Sequence, residues 1–177
     1  MRDRPTIEAP AEPSERVTRA ELTNVLLRSP FAGIYKFQLP SFAAGECTLG
    51  VPFQPALERP GGLVAGCIFM TAADVAMWLA IMTKLGTNEM AVTAAMNTAF
   101  LRSAREETFH CTARVLNLGA RLIYGVAECS NLNGKMLAHH TLTYTRVSST
   151  SWESNDSGAR VFTLRQRFKP KTGAQTD

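Results

Sequence analysis

Residues 61–82 read GGLVAGCIFMTAADVAMWLAIM, twenty-two residues with a single charge, Asp74. A stretch of that length spans a bilayer. Against a membrane reading, an aspartate near the middle of a span costs about 2.5–3.5 kcal/mol on insertion scales, and Gly61, Gly62 and Gly66 make the first six residues loop-like. A helix that is apolar on every side and does not cross a membrane is a fully buried core helix. The segment reads as the buried kind, because the remaining chain supplies strands to wrap it. The helix is expected to open near Gly66 and to stop at Gly86, a residue suited to the C′ position, with Lys84 complementing the dipole in the last turn.

Strand patterns follow almost without interruption. Residues 91–101 form the first. In residues 108–118, Phe109, Cys111, Ala113 and Val115 alternate with His110, Thr112 and Arg114, the period of two of a half-buried strand. Residues 121–130 come next, after Gly119. Residues 135–147 follow Asn133-Gly134, a strong hairpin signal. Upstream, IYKFQL (34–39) and ECTLGVPF (46–53) read as two strands joined across residues 40–45, and Pro52, Pro55 and Pro60 mark an irregular connection. A short helix capped by Ser14 and closed by Pro30 would bury Val17, Leu22, Val25 and Leu26. Residues 1–14, with Pro5, Pro10 and Pro13, read as a flexible arm. Residues 15–147 read as a single α+β domain, and residues 148–177 as a polar tail whose VFTLRQRF segment could form a short edge strand.

The composition sets limits on function. The chain has 177 residues, is 45% hydrophobic and 19% charged, and carries a net charge of +4, enough apolar surface to offset chain entropy and exclude global disorder. The basic residues form no dense block, which argues against a nucleic-acid binder. Cys47, Cys67, Cys111 and Cys129 are too widely spaced for a zinc ribbon or redox pair and read as small core residues. With no disulfide framework and no charged-then-apolar leader, a cytoplasmic setting is expected. His139 and His140 are neighbours on a strand and point to opposite faces, so no metal site is expected. The loop motifs of serine hydrolases, phosphate-loop enzymes and dinucleotide binders are missing from the sequence, and no cofactor is expected.

The run GLVAGCIFMTAADVAM resembles the helix-opening motif of hotdog-fold acyl-CoA thioesterases, in the branch of the phenylacetate-degradation enzymes. Members carry G-x-x-H-G-G with an acid nine positions after the His. In this register Gly62 is the first Gly, Ala65 stands at the His, Gly66 and Cys67 occupy the Gly pair, and Asp74 is the acid. A second block, AVTAAMNTAFLRSAREETFHCTARVLNLGARLIYGVAE, resembles the family's strand run, with Glu106-Glu107 in place of its Gly-Asp turn. The two blocks extend the resemblance over residues 34–147. It implies a hotdog fold, a bent antiparallel β-sheet wrapped around a long central α-helix, assembled as a homodimer or a dimer of dimers.

The resemblance also implies thioester hydrolysis, with Asp74 as nucleophile or general base. The helix opening presents unpaired N–H groups and a partial positive charge, so the Gly66 and Cys67 amides are expected to polarise the thioester oxygen. By the same resemblance, Thr93 aligns with a hydroxyl residue that reaches the acid or its water from the neighbouring subunit. Coenzyme A carries phosphates, which makes Arg102, Arg121 and Lys135 candidate contacts at strand ends. Arg59 and Ala65, beside the motif, are further candidates for substrate binding. Two other readings fit the same residues: a non-catalytic acyl-CoA or lipid-binding module, and a hotdog enoyl-CoA hydratase or dehydratase.

Overall fold

The computed structural model describes residues 17–88 and 90–147, together with the backbone of residues 152–154 and 160–162. Two short helices, α1 (Arg19–Arg28) and α2 (Ala32–Tyr35), lead into strands β1 (Gln38–Ala43) and β2 (Glu46–Val51). A 3-10 turn (Pro55–Leu57) and the small hairpin β3 (Glu58–Arg59) and β4 (Leu63–Val64) precede the long helix α3 (Gly66–Leu85). Four strands complete the domain: β5 (Ala91–Phe100), β6 (Phe109–Leu118), β7 (Leu122–Asn131) and β8 (Met136–Arg146). The main sheet runs β1-β2-β6-β7-β8-β5 with every pair antiparallel. This is the α+β hotdog architecture that the resemblance implied.

Helix α3 is long and apolar enough to cross a membrane, but twelve of its twenty residues are buried within the protein, so its apolar surface is already spent on the core. Met77 lies against β7 at Gly125, where any side chain would collide with the Met77 thioether and stand 2.5 Å from the Arg114 carbonyl oxygen. The helix stops where expected. Gly86 adopts φ +91°, a backbone that L side chains rarely accept. The alternation in β6 also holds: Phe109, Cys111 and Ala113 are buried, while Arg114 is exposed and pairs with Glu46 and Glu128 at 2.9 Å each.

Three expectations are corrected. The cap of α1 is Thr18, whose hydroxyl accepts from the Glu21 N–H while the Glu21 carboxylate accepts from the Thr18 N–H; Ser14 lies outside the described residues. The first strand begins at Gln38, because Ile34 and Tyr35 turn into α2 and Lys36 takes a left-handed conformation. Tyr35 then stacks on Phe37 with ring centroids 5.1 Å apart, so side-chain packing overrides the strand-like alternation there. Strand β1 instead runs through Pro40. Proline removes a ladder donor, and it is tolerated here because β1 is an edge strand whose register breaks between Gln38 and Ser41.

Residues 147–177 form a separate unit. Within it, β9 (Trp152–Ser154) pairs antiparallel with β10 (Arg160–Phe162). The rest of the VFTLRQRF segment, from residue 163, lies outside the described residues.

Candidate functional site

Helix α3 opens without a side-chain cap. Its N-cap residue is Ala65, which has no side-chain acceptor to offer, and the N–H groups of Gly66 and Cys67 come first in the helix, where no intrahelical acceptor exists. Ala65 is itself fixed by its own N–H, which donates to the Leu57 carbonyl at 2.9 Å, and Val64 donates to Ala104 at 3.0 Å. The opening therefore combines a rigid backbone with uncommitted donors. It faces a cleft of about 380 Å³ lined by Arg59, Gly66, Phe69, Phe100, Arg102 and neighbouring residues. The Phe100 ring would lie 3.2 Å from a Cβ at Gly66, so glycine keeps this wall open. The Arg102 guanidinium is anchored at the rim by donation to the Met136 carbonyl at 2.9 Å.

Asp74 lies two turns further along α3 and belongs to a different cleft. This second space, about 310 Å³, is lined by Phe31, Asp74, Val75, Trp78, Ala91, Val92, Thr93 and Tyr144. Asp74 is half-buried. Its Oδ1 accepts from the Thr93 hydroxyl at 2.6 Å and from the Tyr144 hydroxyl at 2.6 Å. The Tyr144 hydroxyl also lies 2.8 Å from the Asp74 carbonyl oxygen. Burial, followed by the Asp74 charge, pushes the Tyr144 hydroxyl far above the ordinary tyrosine range, so it stays protonated and donates. The rest of the lining is apolar, with Phe31 from the turn before α2 and Trp78 from α3 as aromatic walls.

The sequence candidates thus fall into three groups. Arg59, Gly66 and Arg102 share the first cleft, with Ala65 and Cys67 beside it; Cys67 is exposed, unlike the other three cysteines, which are buried. Asp74 and Thr93 share the second cleft, and Thr93 meets Asp74 within the same chain, which corrects the expectation of a hydroxyl arriving from a neighbour. Arg121 and Lys135 line neither cleft. They sit at the β6–β7 and β7–β8 turns, at opposite ends of a ten-residue strand, about 30 Å of extended chain. They cannot attend one pocket mouth together. Tyr144 was missed by sequence reasoning. Its only signal is its inward place in the alternation of β8.

A buried polar chain lies elsewhere under α3. The fully buried His140 ring approaches the Thr98 hydroxyl at 2.9 Å through Nδ1 and the Cys129 sulfur at 3.6 Å through Nε2. Cys111 stands directly across from Cys129 in the ladder. The hydrogen bond from Cys111, aided by His140, pulls the Cys129 thiol below its ordinary range, while the same bond and burial push Cys111 well above it. Neither cleft includes these groups.

Comparison with known proteins fits this geometry. A thioesterase superfamily model matches residues 61–138, from the loop before α3 into β8. No curated protein matches the sequence. Among solved structures, a thioesterase from Haemophilus influenzae superposes with a TM-score of 0.69 at 18% identity, covering 76% of this chain and 94% of that one. The PaaI protein of the E. coli phenylacetic acid degradation operon gives 0.67 at 18% identity, covering 73% and 92%. A hypothetical thioesterase from Streptococcus pneumoniae, solved with coenzyme A, gives 0.58 at 12% identity, covering 63% and 86%. What is shared at these identities is the fold.

Proposed function

We propose that this member of the thioesterase superfamily, a hotdog-fold chain, hydrolyses an acyl-CoA thioester to the free acid and coenzyme A. One observation carries the reading: a half-buried carboxylate, Asp74, opens onto an apolar cleft with one oxygen already held by Thr93. In the reaction, Asp74 takes a proton from water as that water attacks the thioester carbonyl carbon, or attacks the carbon itself to form a mixed anhydride that water then hydrolyses to the free acid and the Asp74 carboxylate. The Gly66 and Cys67 amides stabilise the oxygen as it becomes negative. The carbon–sulfur bond then breaks, the sulfur leaves with the electron pair, and it is protonated to the thiol.

Arg59 and Arg102 border the helix opening and supply cations for the phosphates of coenzyme A. The neighbour solved with coenzyme A supports that choice of carrier. The helix opening and Asp74 belong to separate clefts of one chain, so the reading draws the two halves of a site from two copies in a homodimer, alone or paired as a dimer of dimers. The outer edge of β5 has no strand partner among the described residues, and an unpaired edge is a natural place for a second copy. Four free cysteines suit a reducing compartment, the cytoplasm.

A thiol-release assay across short, long and aryl acyl-CoA compounds tests the reading. Asp74→Asn should lose roughly 10²–10⁴ in turnover, and retention within about threefold on every responsive substrate would remove Asp74 from the chemistry. A second reading, an acyl-CoA or lipid-binding module without turnover, is favoured by Ala65 at the motif's His position. Binding without thiol release, measured on one preparation, would select it. Loss of the double bond of an enoyl thioester with the thioester intact would select the hydratase instead.

A further inference from the structure

Strand β5 changes its facing partway along. Its register against β8 pairs Thr93 with Tyr144 and Ala95 with Thr143, skipping Ala94. Beyond the break, Met96 pairs with Leu142 and Thr98 with His140. Tyr144, Leu142 and His140 are all buried on the helix-facing side of β8. In an unbroken strand, residues that share a face are separated by even steps, so Thr93 and Met96 could not both face α3. The extra residue at Ala94 lets them do so, and a bulge of this kind re-aims a side chain. The irregularity brings the Thr93 hydroxyl beside the Tyr144 hydroxyl, and both reach the same atom, Asp74 Oδ1, at 2.6 Å.

We propose that Tyr144 is a positioning residue of the hydrolytic site, acting with Thr93 to saturate Oδ1 of Asp74 and leave Oδ2 as the oxygen that meets water or substrate. The inference rests on Asp74 being the acid of the proposed function. Among the described residues, no donor reaches Oδ2. The two donors fix the carboxylate's rotation from opposite strands of one pair, and the second contact of Tyr144, to the Asp74 carbonyl, ties the clamp to the helix backbone. Tyr144 is 2% exposed, and its hydroxyl is committed to Asp74. Its effect passes through Asp74.

The groups facing Asp74 are few. Strand β8 contributes Tyr144, β5 contributes Ala91, Val92 and Thr93, the turn before α2 contributes Phe31, and α3 contributes Val75 and Trp78. Among the described residues, Tyr144 is the only other titratable group in this lining. Removing its hydroxyl withdraws one of the two donors that hold Oδ1.

The test compares wild type, Tyr144→Phe, Thr93→Val and Thr93→Ser in two measurements. In steady-state assays at one pH, Tyr144→Phe and Thr93→Val should each lower kcat about tenfold, with KM within twofold. Thr93→Ser keeps the hydroxyl and should recover most of the turnover that Thr93→Val loses. In carbon NMR at a single pH, the Asp74 carboxyl resonance should be displaced in the same two variants and restored in Thr93→Ser. The NMR reading needs no turnover. If no acyl-CoA is hydrolysed, or if Asp74→Asn remains active, the functional reading fails while the clamp is still judged by NMR. An unchanged kcat together with an undisplaced carboxyl resonance in Tyr144→Phe would overturn the proposal. Should Tyr144→Phe fail to fold, carbon NMR of the Tyr144 ring decides: a phenol-carbon resonance identical in wild type and Asp74→Ala would overturn the proposal.

Discussion

Gly66 and Asp74 lie on one helix, eight residues apart, and line different clefts. At 1.5 Å of rise per residue they are separated by about 12 Å along the axis. A single thioester carbonyl must sit within about 3 Å of both its amide donors and its attacking group. One copy of α3 cannot supply both to the same bond. In the proposed homodimer, the Asp74 cleft of one copy meets the helix opening of the other, and complementation follows. Asp74→Asn and Gly66→Val should each be inactive as purified homodimers. After unfolding and refolding together they should recover about a quarter of wild-type thiol release, because half the dimers are mixed and each mixed dimer holds one intact site. A mixture that remains inactive, while sedimentation shows that mixed dimers formed, would place both groups of each site in one chain.

Ala65 is an uncapped helix start, and the substitution that repairs it should weaken the site. A serine at this position can accept from the N–H of Cys67, and such caps add about 1 kcal/mol. Ala65→Ser should raise the thermal midpoint by about 3–5 °C for a domain of this size. The same hydrogen bond occupies an amide that the proposed mechanism reserves for the thioester oxygen, so kcat should fall while the midpoint rises. Parallel thermal unfolding and thiol-release measurements check the opposed signs. An increase in both would show that the helix opening takes no part in turnover.

Much of this was legible before the fold. Glycines and a uniform apolar run fixed the ends of α3, and alternation in residues 109–115 told the buried face of β6 from the exposed one, because both signals are local. Asp74 stood out as the only charge between Gly61 and Met82. Tyr144 did not. It is seventy residues from Asp74, and its inward position in HTLTYTRV is shared with Leu142, an apolar core residue. The bulge at Ala94 has no glycine to announce it. The separation of Gly66 from Asp74 was calculable from helix rise, but their membership of two clefts depends on Phe100 and Phe31, which two other parts of the chain bring to the helix.

Arg59 and Arg102 border the Gly66 cleft, whereas Arg121 is at the far end of the sheet from the turn bearing Lys135. If the first two bind the phosphates of coenzyme A, their effect depends on the carrier. Arg59→Ala and Arg102→Ala should raise KM for an acyl-CoA about 2- to 10-fold, the range for exposed charge-assisted contacts, and added salt should reduce the difference. An N-acetylcysteamine thioester of the same acyl group lacks the phosphates, and its KM should stay unchanged in both variants. Arg121→Ala should leave both substrates as in wild type. Equal losses on the two thioesters would mean that the arginines shape the cleft and make no contact with phosphate.

Stability should decline on the alkaline side, and Cys47 allows the cause to be isolated. Burial pushes its thiol up to about 12 from 9.0, with a smaller contribution from Glu46. The folded chain therefore retains a proton that the unfolded chain releases above pH 9. Stability from this group is complete below pH 9 and is lost as pH rises through 12, at no more than about 1.4 kcal/mol per pH unit. Cys111 and Tyr144, both raised, act in the same direction. Cys129, lowered, acts in the opposite sense, losing stability as pH falls below 9 through its folded value of about 7. Urea unfolding at pH 8.5 and 10.5 should show a lower midpoint at the higher pH. In Cys47→Ala the free-energy difference between the two pH values should shrink by about 1–2 kcal/mol, whatever the packing cost of the smaller side chain, since that cost is common to both. An unchanged difference would mean that the Cys47 thiol ionises as readily in the folded chain as in the unfolded one.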